Sequence, residues 1–88
     1  MHLQVELDAP YDRADELRVL DGEGQPMILR IMRGESSFTD RKAAIVDGKS
    51  QVLSTSEDAR TVVLWKNGSE VDRIPVSLQP GSVSVVRY

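Results

Sequence analysis

The sequence predicts an all-β fold: a Greek-key β-sandwich of about seven antiparallel strands, forming one domain over residues 1–88. Three observations carry this. Apolar residues recur with period two, the repeat of a half-buried strand. Clusters of Gly, Pro, Asn and Asp interrupt the apolar runs roughly every ten residues, the spacing of a sandwich or barrel. No window of about eleven residues keeps a 3.6-residue period without an internal Gly or Pro.

The first strand is His2–Leu7, with Leu3, Val5 and Leu7 on one face and His2, Gln4 and Glu6 on the other. Asp8–Glu16 reads as a solvated loop. Leu17–Leu20 is a short strand ended by Asp21-Gly22-Glu23-Gly24-Gln25-Pro26, where aspartate closes turns through its side chain. Met27–Arg33 presents Met27, Leu29 and Ile31 on one face; Gly34–Asp40 reads as a polar loop anchored by Phe38. Ala43–Val46 is a short run ended by Asp47-Gly48-Lys49-Ser50, and Gln51–Thr55 is another short strand.

Val62-Val63-Leu64-Trp65 is the most apolar run, so Thr61–Lys66 is expected to be a central strand with both faces covered and Trp65 in the core; Leu64 and Trp65 are adjacent and point to opposite faces, so one or the other faces the inter-sheet core. Asn67-Gly68 signals a two-residue hairpin. Its return strand, Glu70–Leu78, carries Ile74, Val76 and Leu78 on one face. Val71 is out of phase with them, which predicts a bulge near Asp72-Arg73. Pro75 donates no hydrogen bond, which places this strand at an edge or leaves that position unpaired. Gln79-Pro80-Gly81-Ser82 has the type II order, and Val83–Tyr88 is the last strand.

A chain of 88 residues fits one domain, and such a domain hides roughly 60–65% of the surface of its unfolded chain. The net charge of −3 argues against nucleic-acid binding, which needs a basic surface. No apolar run approaches the ~20 residues that span a bilayer, so no membrane insertion is expected. Met1–Asp8 alternates rather than forming a leader, which suggests a cytoplasmic protein or a piece of a longer exported one.

The chain has no cysteine and one histidine, His2, on the polar face of the first strand. That inventory assigns no transition-metal site, no cofactor site and no catalytic residue. Asp8, Asp12, Asp15, Glu16, Asp21, Glu23, Glu57 and Asp58 supply oxygen ligands without a calcium-loop pattern. The clusters Asp12–Glu16 and Asp21–Glu23 could lie at one end of the sandwich, where weak calcium binding is the one metal chemistry left open; turn closure and solubility is the favoured reading of these carboxylates. The serines have no histidine to activate them, and Lys42, Lys49 and Lys66 lie in polar or turn contexts. Gly22 and Gly24 precede a strand rather than a helix and so form no phosphate loop. Arg30, Arg33, Arg41 and Lys42 around Phe38 are the nearest approach to a basic patch with an aromatic. Asn67-Gly68-Ser69 matches the glycosylation acceptor pattern, which the turn explains by itself.

The stretch Leu17-Arg18-Val19-Leu20-Asp21-Gly22-Glu23-Gly24-Gln25-Pro26 resembles the V-x-D-x-x-G-x-P opening of transthyretin-like (prealbumin-like, carboxypeptidase regulatory-like) domains. Ile74–Val86 is similar to that family's V-x-L-x-P-G-x-x-x-V close. Together they cover about a third of the chain. The resemblance implies a sandwich with no catalytic residues; an immunoglobulin-like or fibronectin-like sandwich is the alternative topology. The expected function is a non-catalytic accessory or structural module that docks or spaces protein, either itself or a larger assembly. The alternative is a glycan- or protein-binding module using the loops Asp8–Glu16, Gly34–Lys42 and Asp47–Ser50.

Overall fold

The computed structural model describes Met1–Tyr88 as nine strands in two sheets with no helix. The strands are β1 (His2–Glu6), β2 (Glu16–Asp21), β3 (Leu29–Arg33), β4 (Ser36–Asp40), β5 (Ala43–Ala44), β6 (Leu53–Ser54), β7 (Ala59–Lys66), β8 (Ser69–Pro75) and β9 (Val83–Arg87). One sheet has the order β4-β3-β6-β1-β9, the other β5-β2-β7-β8. One core lies between them. Leu3, Val5, Leu29, Ile31, Leu53 and Val86 enter it from the first sheet; Leu17, Val19, Ala43, Ala59, Val62 and Leu64 enter from the second. The inward sets follow a period of two, except on β7, where the register shifts between Leu20↔Thr61 and Asp21↔Ala59 and brings Ala59 inward three residues before Val62.

The expectation of about seven strands, all antiparallel, is corrected on two counts. Gly34–Asp40 is not a loop: Ser36–Asp40 pairs in register with β3, from Arg33↔Ser36 to Leu29↔Asp40, around the two-residue loop Gly34-Glu35. Its polar composition suits an edge strand exposed along its whole length. Second, β9 runs parallel to β1, from His2↔Val83 to Glu6↔Arg87. A parallel neighbour is remote in sequence and leaves no local turn signal.

Trp65 is also corrected. Leu64 is fully buried, so its neighbour Trp65 must point to the opposite face. There Trp65 is half-buried beside Glu16 and Glu70, with the Arg18 guanidinium 4.0 Å from the ring centroid. The indole Nε1 is covered and has no hydrogen-bond partner. Val63 shares this outer face and is only 2% exposed, flanked across the strands by Arg18 and Arg73. Long side chains at such cross-strand positions can lay their alkyl stems over an apolar neighbour.

The second hairpin follows its sequence signals. Asn67 and Gly68 have φ of 50° and 78°, the pair of positive values a primed turn requires. The register skips between Leu64↔Asp72 and Trp65↔Glu70, which makes Val71 the extra residue of a bulge. Pro75 ends β8, the edge strand of its sheet. Asp47-Gly48 makes the same kind of turn, with φ of 51° and 81°, and closes Val46 onto Lys49 by hydrogen bonds of 2.9 and 3.1 Å. Gly68→Val is expected to lower stability by about 1 kcal/mol or more, because a β-branched residue is strained at positive φ. Nothing lies within 4 Å of a Cβ at this position, so backbone strain alone supplies the loss. A urea midpoint equal to the parent's would refute the turn assignment.

The two acidic clusters lie at opposite ends of β2, not at one end of the sandwich. Glu16 begins that strand and Asp21 ends it, about 17 Å away at ~3.4 Å per residue. Asp21 Oδ1 accepts the N–H groups of Glu23 and Gln25, both at 2.9 Å, and so closes its own turn. No group of three or more His, Asp or Glu side chains converges in a way that could hold a metal ion. No helix is long and apolar enough to cross a membrane.

Candidate functional site

A cleft opens on the flank where β4 and β5, edge strands of the two sheets, lie on the same side. Its cause is a mismatch of strand lengths. β5 pairs with β2 at only two positions, Glu16↔Ala44 and Leu17↔Ala43. On the facing sheet β6 pairs with β3 only at Arg30 and Ile31, so the end of the β3–β4 hairpin overhangs without a neighbour. The sheets are left open there over a cleft of about 790 Å³.

Ile31, Leu53 and Ala43 line the cleft from within and are at most 6% exposed, so its floor is apolar core. One wall is the β4 hairpin, with Arg33, Phe38 and Asp40. Phe38 is directly opposite Ile31 in the ladder and therefore shares its inward parity. At the open rim it is 39% exposed, with the Arg33 guanidinium 5.0 Å from its ring centroid. The opposite wall is Asp15, Glu16 and Ala44 with the turn residue Gly68. Asp15 is held by its backbone, which donates to Trp65 O at 2.8 Å and accepts from Ile45 N at 2.9 Å.

Val46, Lys49, Ser50 and Gln51 close one end of the cleft. Ser50 is 4% exposed and fixes this end to β1. Its Oγ accepts the Val5 N–H at 2.9 Å and donates to Gln51 O at 2.8 Å, while its own N–H donates to Val5 O at 2.9 Å. The neighbouring Gly48 packs against Tyr11; a methyl group on Gly48 would come within 2.7 Å of Tyr11 Cδ1.

The charges in the cleft are not equally engaged. Glu16 takes Arg18 at 3.2 Å and Lys42 at 3.8 Å. Asp15 accepts the Asn67 N–H at 3.0 Å, and Asp40 accepts the Arg41 N–H at 2.6 Å. Arg33 and Lys49 form no salt bridge; Arg33 has only the Phe38 ring. The cleft therefore offers an apolar floor and two unpaired cations, beside carboxylates that already have partners.

Of the residues singled out in sequence, the fold brings Asp15, Glu16, Arg33, Phe38, Lys42 and Lys49 to this cleft. Arg30 lies on the outer face of its sheet, opposite Thr39, and Arg41 is exposed outside the cleft. His2 is exposed at the start of β1, near Thr55 and Val83, and does not line the cleft. Asp8 and Asp12 are exposed in the β1–β2 loop, and Glu57 and Asp58 in the β6–β7 turn. Lys66 is half-buried at the end of β7. The sequence reading missed Ser50 as a buried hydrogen-bonding residue. A serine just past the Asp47-Gly48 turn, between two apolar segments, is the signal the sequence offers.

The shifted ionisable groups lie elsewhere. Two hydrogen bonds from the Arg73 guanidinium, at 2.9 and 3.0 Å, hold Glu70 below the ordinary carboxylate value. Donation from Tyr88 Oη to Asp72 at 2.9 Å raises the Tyr88 phenol above its ordinary value. Within the cleft the one hydroxyl, on Ser50, is committed to backbone partners, and no histidine stands beside it. The arrangement is suited to holding a ligand by apolar contact and charge. No family model, no curated protein and no solved structure matches this chain.

Proposed function

We propose that this domain is a non-catalytic recognition module that seats an extended segment of a partner protein in the flank cleft between β4 and β5. The observation that carries the reading is the cleft itself: an apolar floor at Ile31, Leu53 and Ala43, beneath the unpaired cations Arg33 and Lys49. A fitting segment places one apolar side chain on the floor and a carboxylate against the cations. A glycan fits less well, because Arg33 already occupies a face of Phe38, the cleft's one aromatic. We read the architecture as a transthyretin-like Greek-key sandwich. The Asp21 turn and the Pro80-Gly81 turn, with Gly81 at φ 80°, support that reading.

Selection of displayed random peptides on the immobilised domain tests the function. Enriched peptides are expected to pair an acidic residue with a large apolar one. The double variant Arg33→Glu, Lys49→Glu is expected to bind them at least about tenfold more weakly, a loss of ~1.4 kcal/mol. Peptides that bind this variant as tightly as the parent would refute the cleft as the seat.

A further inference from the structure

We infer that a second copy of this chain pairs antiparallel with β9, joining two five-stranded sheets into one continuous sheet. The four sheet edges differ in how they are protected, and β9 lies away from the cleft. β5 is two residues long, and β4 borders the cleft. β8 carries Glu70, Asp72, Arg73, a bulge at Val71 and a terminal Pro75, all devices that discourage edge pairing. β9 has no bulge and no proline. It reads Val83-Ser84-Val85-Val86-Arg87, with one charge and an unbroken register to β1.

Backbone alternation identifies the free groups. Tyr88 donates its N–H to Glu6 O at 3.1 Å and accepts from Asp8 N at 2.8 Å, so residues in phase with it, Ser84 and Val86, also bond toward β1. The N–H and C=O groups of Val83, Val85 and Arg87 therefore face the open edge. Bonds elsewhere on this flank, from Val76 N to Arg60 O and from Tyr88 Oη to Asp72, both at 2.9 Å, leave them free.

The sequence of β9 is complementary to itself about Val85. A two-fold axis there sets Val85 opposite Val85 of the second copy and Val83 opposite Arg87. Each such pair exchanges two hydrogen bonds. Val83 and Val85 are each 45% exposed on the outer face, so the central pair covers apolar surface with apolar surface. No like charges face each other, because Arg87 meets valine and is already paired with Glu6 at 3.2 Å. One short edge buries far less than the ~1,600 Å² of a standard interface, so the dimer is weak. β4 and β9 are opposite edges of one sheet, so the pairing leaves both clefts open at the far ends of the dimer.

Sedimentation velocity from micromolar to millimolar protein tests association, and amide hydrogen exchange over the same range tests its location. The expected result is a monomer–dimer equilibrium with a dissociation constant between high micromolar and millimolar. The amides of Val83, Val85 and Arg87 should gain protection with concentration, while those of Ser84 and Val86 stay unchanged. Val85→Lys should weaken association at least about tenfold. Val71→Lys, at a similarly exposed site on β8, should leave it unchanged. A monomer at all concentrations overturns the inference, as does a dimer in which the three amides gain no protection. The exchange measurement uses the parent protein and decides the matter whether or not Val85→Lys folds.

Discussion

Leu64→Ala is expected to lower the unfolding free energy by about 3 kcal/mol, within the 2–5 kcal/mol typical of a buried leucine truncated to alanine. Leu64 has no exposed surface and lies on β7, which pairs with strands on both sides. Its loss opens a void that two hydrogen-bonded neighbours cannot readily collapse. A domain of this length holds roughly 4–13 kcal/mol in total at 0.05–0.15 kcal/mol per residue, so the change consumes a large share. Trp65→Ala, one position on, is expected to cost less, about 1–2 kcal/mol. It removes outer-face packing and the Arg18 stacking contact, which is worth ~0.5–1 kcal/mol at an exposed site. Urea unfolding followed by far-ultraviolet circular dichroism compares the two without relying on the tryptophan as probe. If Trp65→Ala costs more than Leu64→Ala, the faces of β7 are assigned the wrong way round.

Ser50→Ala is expected to cost about 1–3 kcal/mol, a large effect for the loss of one oxygen. The Ser50 hydroxyl stands in for a missing strand partner by accepting the buried Val5 N–H. Alanine leaves that donor in the interior with nothing to bind, and desolvation is not recovered. Ser37→Ala, on exposed β4, should fall within about 0.5 kcal/mol of the parent. The Val5 amide should also exchange faster in Ser50→Ala. Unchanged stability with unchanged Val5 exchange would mean that the hydroxyl is not the partner of that N–H.

The fold class was legible because it rests on local chemistry. Alternation in His2–Leu7 places Leu3, Val5 and Leu7 inward, and all three are buried. Asn67-Gly68, Asp21 and Pro75 each act within a few residues of themselves, and each was placed correctly. What escaped depends on contacts remote in sequence. The parallel pairing of β9 with β1 joins the two ends of the chain, and neither strand's pattern encodes its neighbour. Ser36-Ser37-Phe38-Thr39-Asp40 looks like a loop because an exposed edge strand needs no apolar face. Hydrophobicity alone points Trp65 to the core; period two says only that Leu64 and Trp65 face opposite ways, and the structure gives the core to Leu64.

The candidate site was legible only in its parts. Arg33, Phe38 and Lys42 stood out as a cationic group around an aromatic, while Asp15, Glu16 and Lys49 belonged to other loops. Their convergence on one cleft follows from the shortness of β5 and β6, which leaves the flank open. Strand length is the least local of these features, because it depends on where partners stop pairing. Arg41 shows the limit of proximity in sequence: it adjoins Lys42 yet does not line the cleft.

The most direct test of the proposed recognition role is a nuclear magnetic resonance titration of the isotope-labelled domain with a selected peptide. Amide and methyl shifts are predicted to concentrate at Ile31, Arg33, Phe38, Lys49, Gln51 and Leu53, with weaker effects in the Arg33→Glu, Lys49→Glu variant. Saturable shifts confined to β8 or β9, with the cleft residues silent, would contradict the account.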